Sequence, residues 1–200
     1  MEKYVISISR QFGSMGRPIA RRLSELLGIQ FYDRDIVEAA AKKMNLPVSE
    51  VSEAEEAAKN SFFRMSYPLG RGSMEMQIEL FRIQKQIILD LADRESCIIV
   101  GRCSDYILKD FKNHLRVFIY APYDKRLQNC VERLGMEEKE ARRMITRVDK
   151  ARANYHKTYA GFLPEDINYK DFLINSAVLG EEGTAKCLKD IVNDRFHVEE

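Results

Sequence analysis

No C-x-x-C pair occurs anywhere in this chain. The four cysteines (Cys97, Cys103, Cys130, Cys187) are scattered, and so are the three histidines. That distribution does not match a zinc site, and the expectation is reduced thiols in a cytoplasmic protein. Charge of one sign is missing too. Thirty-two basic residues against 31 acidic ones leave a formal net charge of +1, which gives no global reason to attract nucleic acid or an anionic membrane. No apolar run approaches the roughly 18–20 residues needed to span a bilayer. The N-terminus reads directly as a strand, without the apolar stretch of a signal peptide. What is present suits one large domain over residues 1–200: 45% hydrophobic residues for a sizeable core and 32% charged residues for its surface.

Five strands are predicted, at 4–8, 29–32, 97–100, 115–120 and 171–174. Cys97-Ile98-Ile99-Val100 and the run from Leu115 to Tyr120 are apolar on nearly every residue. Such runs suit a parallel sheet covered on both faces. Helical patterns lie between them. Pro18 suits a first helical turn, and Gly28 suits the end of the same helix. Asp33 or Asp35 is placed to cap the next, with Ile36, Ala40 and Met44 on one face. A long helix is predicted over 74–94 with Phe81, Ile88 and Leu91 buried, two more over 123–135 and 136–160, and a last one over 181–196. The alternation predicts a doubly wound α/β domain. It breaks once, over residues 33–96, too long for a single crossover. The middle of that stretch, with Phe62, Phe63 and Tyr67, reads as a mobile segment between helices. The helix at 74–94 has more apolar residues than one buried face needs. A homodimer contact and a core position explain that equally well.

The stretch "SRQFGSMGRPIA" (9–20) follows the first strand and opens a helix. In a doubly wound fold, ligands bind beyond the carboxyl ends of the strands, and a helix N-terminus offers unpaired N–H groups to an anion. Gly13 and Gly16 permit close backbone approach and positive φ, and Arg10 and Arg17 flank the turn. Against the pattern G-x-x-x-x-G-K-[ST], only Gly16 matches. Gln11, Arg17 and Pro18 fall where the first glycine, the lysine and the hydroxyl belong. Arginine keeps the charge and forks onto phosphate oxygens. Proline cannot supply the hydroxyl that ligates Mg²⁺.

Two further stretches lie near strand ends. In "IIVGRCSDYIL", Gly101 turns the backbone, Arg102 can clamp a phosphate, and Asp105 either orients Arg102, accepts hydrogen bonds from a ligand, or simply starts a helix. In "ARRMITRVDKARANYHKTYAG", the cations Arg142, Arg143, Arg147, Lys150, Arg152 and Lys157 meet one acid, Asp149. This is either a solvated face or a segment that closes over a polyphosphate. Arg126 and Arg133, on the preceding helix, extend the same surface.

Taken together and in order, "ISISRQFGSMGRPIARRLSELLGIQFYDRDIV", "CIIVGRCSDYIL", "RVFIYAP", "RVDKARANYHKTYAG" and "DFLINSAVLG" resemble the cytidylate kinase-like branch of the P-loop nucleoside monophosphate kinases. The resemblance implies a three-layer α/β P-loop NTPase-type domain with a five-stranded parallel sheet, a helical acceptor-binding insertion (about 45–75) and a lid (about 142–160). It places Arg10, Gly13, Ser14, Met15, Gly16, Arg17 and Pro18 at the ATP phosphates. It places Arg34, Gly101, Arg102 and Asp105 at the acceptor, with Asp105 displaced by two residues from the family's Gly-Arg-Asp. Arg143, Arg147, Asp149 and Arg152 fall in the lid, and Arg17, Arg147 and Arg152 take catalytic roles. The family's further Arg-Asp pair before that lid motif is not reproduced in register. ATP and Mg²⁺ are the implied cofactors, small nucleotides the implied substrates, with Ser14 or Asp33 as alternatives to water for holding the metal. Phosphoryl transfer to CMP or a related monophosphate therefore competes with nucleotide sensing without turnover. RNA binding through the arginine helix lacks any stacking-platform signature.

Overall fold

The computed structural model describes residues 2–45 and 72–198, apart from the side chains of residues 34, 37 and 72–75. Five parallel strands form one sheet: β1 (Val5–Arg10), β2 (Gln30–Tyr32), β3 (Cys97–Val100), β4 (His114–Tyr120) and β5 (Phe172–Asn175), in the order β2-β3-β1-β4-β5. The predicted acceptor insertion and the aromatics Phe62, Phe63 and Tyr67 lie almost wholly outside the described residues.

The apolar strands sit in the middle, as their lack of a polar face requires. In β1 the side chains alternate between two cores. Val5, with Cys97 and Ile99 of β3, faces α2 (Arg34–Met44) and α3 (Gly72–Arg94), meeting Ile36, Ala40, Leu80, Ile88 and Leu91. Ile6 and Ile8, with Val117 and Ile119 of β4, face α1 (Gly16–Leu27) and α7 (Ser176–Phe196), meeting Ile19, Leu23, Leu188 and Val192. Each such aliphatic side chain contributes about 1.5–3 kcal/mol by leaving water. Part of the apolar excess of α3 is used inside the molecule, where Phe81 stacks on Tyr159 with ring centroids 4.1 Å apart, while Ile78 stays exposed. Among the described residues no helix is long and apolar enough to cross a membrane. All four cysteines are free.

This connectivity makes a crevice. Strands β1 and β3 are neighbours, yet the chain leaves β1 into α1 on one face and leaves β3 into the short helix α4 (Ser104–Ile107) on the other. Diverging connections at the carboxyl ends of adjacent strands open the binding position of such folds.

Three departures from the sequence reading have local causes. Asp33 does sit at the start of α2, but its carboxylate does not cap the helix; it turns to arginines. The helix expected over 123–135 is α5 (Tyr123–Gln128) followed by a wide π turn over Asn129–Arg133, and Gly135 at φ +65° separates it from α6 (Glu138–Ala160). The wide turn buries Asn129 and Cys130, a distortion common beside functional loops. Helix α7 gains a turn ahead of the predicted start. Asn175 caps that turn through the Ala177 N–H, and the chain then kinks at Gly180, with φ +65°.

One strand residue makes stability depend on pH. The ring nitrogen Nε2 of His114 lies 2.7 Å from the Ser7 hydroxyl. Burial, helped by the charge of Arg116, pushes the His114 pKa down from 6.5 to about 4. The unfolded chain binds a proton below its ordinary value that the folded chain refuses, so stability falls as pH drops through that window, by about 3 kcal/mol in all. Denaturant titrations between pH 7 and 4 are expected to show this slope, and His114→Gln should flatten it. An unchanged slope in the variant would assign the loss to other groups.

Candidate active site

The segment between β1 and α1 is held from outside at nearly every peptide. The Ser14 hydroxyl donates to the carbonyls of Gln11 and Ile119, at 2.9 and 3.1 Å. The carbonyls of Phe12, Gly13 and Ser14 accept from Arg126 (3.2 Å), Asn129 (2.8 Å) and Ser176 (2.8 Å). The Phe12 N–H donates to Asp149 on α6 at 2.7 Å, and the same carboxylate takes Arg126 at 2.5 Å. Asp149 thus ties the loop to α6 rather than facing a ligand. With its carbonyls turned outward, the loop leads directly into the first turn of α1, whose N–H groups have no partner within the helix.

Of the two glycines of this loop, Gly13 shows both the positive φ and the close approach expected, and Gly16 shows no positive φ. Gly13 has φ +77°, and a Cβ there would meet the Arg126 carbonyl at 2.8 Å. It is the approach of α5 that requires a glycine. The second left-handed residue is Met15, at φ +59°, and not Gly16. Beyond β3, Gly101, Arg102 and Cys103 are all left-handed, with φ of +77°, +58° and +53°. For the two non-glycine residues this costs roughly 1–2 kcal/mol each, and such strain persists only where the surroundings impose it.

A cavity of about 200 Å³ lies over the ends of β1 and β3, beneath α6; Arg10, Arg102, Arg147 and Arg152 line it, with Met144, Val148 and Tyr155 among the less polar walls. Arg152 donates to the Arg10 carbonyl at 3.0 Å. Burial lowers the Arg10 pKa well below the ordinary guanidinium value; the charges of Arg152, Arg102 and Arg17 add to this and Asp33 opposes it. Arg152 is lowered by burial as well, and then by Arg102, against Asp149 and Asp33. A crowd of guanidiniums held in low dielectric favours a polyanion that would neutralise them.

The other candidates lie elsewhere. Arg17 pairs with Asp33 at 2.9 Å and opens onto a second cleft of about 430 Å³ with Met15, Pro18, Arg21, Arg22 and Arg133. Arg143 pairs with Glu140 at 2.8 Å on the outer face of α6. The side chain of Arg34 lies outside the described residues. Asp105 is in the first turn of α4, as the simplest reading had it, and does not reach the cavity. Its buried carboxylate binds the Lys170 ammonium and lies 2.9 Å from His156 Nε2. His156 Nδ1 in turn lies 2.9 Å from the Phe162 carbonyl oxygen.

Among the described residues the donor set fits phosphates and offers no cluster of ligands for a protein-held divalent ion. The Ser14 hydroxyl is fully buried, Asp33 is engaged by Arg17, and among the described residues no three His, Cys, Asp or Glu side chains gather as metal ligands.

Residues 5–178 match the model of the cytidylate kinase-like family. The chain belongs to this family. A cytidylate kinase of Methanopyrus kandleri is 23% identical over 94% of this chain and 93% of its own length. Among solved structures, an uncharacterized protein of Eubacterium ventriosum superposes with a TM-score of 0.67 at 25% identity, over 98% of this chain and all of that one. A shikimate kinase of Bacteroides thetaiotaomicron superposes with a TM-score of 0.54 at 12% identity, covering 98% and 99% of the two chains, which is a likeness of fold. This cytidylate kinase-like chain is accordingly an α/β P-loop domain, and its family supports a kinase. Asp105 stands three residues after Arg102, and its carboxylate falls on the buried side of α4, beside Lys170. Nothing in the spacing alone pointed to that lysine. His156 was findable, because it sits one turn after Arg152 on the same helix face.

Proposed function

We propose that this protein transfers the γ-phosphoryl group of ATP to a small acceptor, CMP or a related nucleoside monophosphate. The observation that carries the reading is the gathering of Arg10, Arg102, Arg147 and Arg152 around one cavity at the carboxyl ends of β1 and β3. The acceptor is itself a phosphate and already a nucleophile, so no side chain need act as a strong base. Catalysis in such a site is positioning and charge stabilisation. Arg102 holds the acceptor phosphate, while Arg147 and Arg152, carried on α6, neutralise the charge that spreads over the transferred group. Mg²⁺ bound to ATP would supply further neutralisation at the donor phosphates.

The test is ADP release with ATP and Mg²⁺ against a panel of nucleoside and deoxynucleoside monophosphates. Acceptor-dependent release, strongest with a cytidine monophosphate, is expected. In Arg102→Ala the acceptor KM should rise at least several-fold with the ATP KM nearly unchanged, and an unmoved acceptor KM would remove Arg102 from this role. A second reading, a nucleotide sensor without turnover, draws on Arg17 being held by Asp33 and on Pro18 in place of a hydroxyl. It predicts thermal stabilisation by nucleotides with no ADP formed, an outcome that would replace the kinase reading.

A further inference from the structure

The loop lacks its lysine, and the residue at that position is occupied. Arg17 is 47% exposed, pairs with Asp33 at 2.9 Å and opens onto the other cleft. The cation inside the transfer cavity at this end is Arg10, the last residue of β1, with a side chain only 13% exposed.

Two glycines make room for it. Gly16 has an ordinary helical backbone, yet a Cβ there would stand 2.7 Å from Arg10 Cβ and 2.9 Å from its Cγ. A Cβ on Gly101 would overlap the Arg10 guanidinium. So the glycine of the phosphate loop and the glycine after β3 bracket one side chain, at its root and at its tip. The backbone beneath is pinned by the hydrogen bond from Arg152 to the Arg10 carbonyl. A buried guanidinium so deliberately seated needs an anion. Among the described residues its one carboxylate partner is Asp33 at 3.8 Å, beyond hydrogen-bond distance. The charges that act on it otherwise are those of Arg152, Arg102 and Arg17. Removing a partner from a buried charge is far more costly than the pair is worth, so this arrangement is matched to a ligand that brings the negative charge.

We propose that Arg10 does the work of the missing lysine, its guanidinium bridging the donor γ-phosphate and the acceptor phosphate during transfer, while Arg17 holds Asp33 and the loop. This rests on the phosphoryl-transfer reading above and adds the residue that joins its two substrates. The planar fork presents several donors in a fixed geometry, so one Arg10 side chain can meet oxygens of two phosphates at once. No covalent bond to the enzyme is involved: the acceptor oxygen forms its bond to γ-phosphorus as the bond to the β-bridging oxygen breaks, and ADP leaves with that electron pair.

The test compares Arg10→Met, Arg10→Lys and Arg17→Met, each checked for folding by circular dichroism and melting. Arg10→Met should lower kcat by about 10²–10³-fold, the usual effect of deleting one donor to transition-state charge. Arg10→Lys should recover part of that loss, and Arg17→Met should lose less than about tenfold. A larger loss in Arg17→Met, with Arg10→Met within threefold of the parent, overturns the assignment. Calorimetric titration with inorganic tripolyphosphate decides the matter separately from turnover. Binding is expected to weaken at least tenfold in Arg10→Met and less than threefold in Arg17→Met, and the reverse order overturns the assignment. If the parent protein turns over no acceptor, the kinase reading fails by itself, and the titration still says which arginine holds phosphate.

Discussion

Asp105→Ala is expected to remove about 3–5 kcal/mol of stability, the usual result of stripping the partner from a buried charge. The side chain of Lys170 is wholly buried, and those of Asp105 and His156 are 2% and 5% exposed. Alanine at 105 would leave an ammonium in the interior with the Phe162 ring, 5.4 Å away, as a weak substitute. The double variant Asp105→Ala, Lys170→Met should recover much of the loss, because it removes the charge as well as its partner. Denaturant unfolding of the three proteins checks this. A single variant within about 1 kcal/mol of the parent, or a double variant no better than the single, would show that the ion pair does not hold this region.

The same cluster sets an acid limit. Burial raises the Asp105 pKa, but the hydrogen bond with His156 and the charges of His156 and Lys170 outweigh it and hold the carboxyl at about 2, against an ordinary 3.8. A carboxylate depressed in the folded state contributes stability that is present above the ordinary value and lost as pH falls toward the depressed one. The amount is about 2–3 kcal/mol, and it is absent in the alanine variant. The window lies below that of His114, so the two effects separate in a pH series. The consequence for function is positional. One carboxylate ties the helix after Arg102 to the helix that carries Arg147 and Arg152, and a shift of about 1 Å in such a constellation lowers rates about a hundredfold.

Arg152→Ala is expected to have the opposite profile: kcat lower by about 10²–10³-fold, with stability nearly unchanged. Arg152 sits in a crowd of like charges that, together with burial, already lowers its own pKa. Removing it relieves repulsion about as much as it loses the hydrogen bond to the Arg10 carbonyl. Paired measurements of kcat and melting temperature separate the two effects. A variant that unfolds as readily as it loses activity would make Arg152 a structural residue.

The sheet was legible because its signal is strong. The central strands bear apolar residues on both faces, and only a parallel sheet between helix layers buries both. The fold class placed the crevice at the carboxyl ends of the strands, and the order β2-β3-β1-β4-β5 showed which strands flank it. The rest depended on contacts between segments far apart in the chain. That Gly16 and Gly101 both give way to Arg10 is visible only once β1 and β3 lie side by side. A charge run on one helix gave equal standing to Arg143 and Arg147, yet Glu140 takes the first, while the second reaches the cavity. Asp105 read as a ligand residue because Lys170 comes 65 residues later, on a segment with no motif of its own.

Phosphorus NMR of the protein at catalytic concentration with ATP, Mg²⁺ and CMP decides whether it carries out phosphoryl transfer. ATP should be converted to ADP while CMP becomes CDP in equal amount, with no inorganic phosphate. ATP consumed to ADP and free phosphate, or spectra unchanged with CMP and every other acceptor tried, would contradict the phosphoryl-transfer reading.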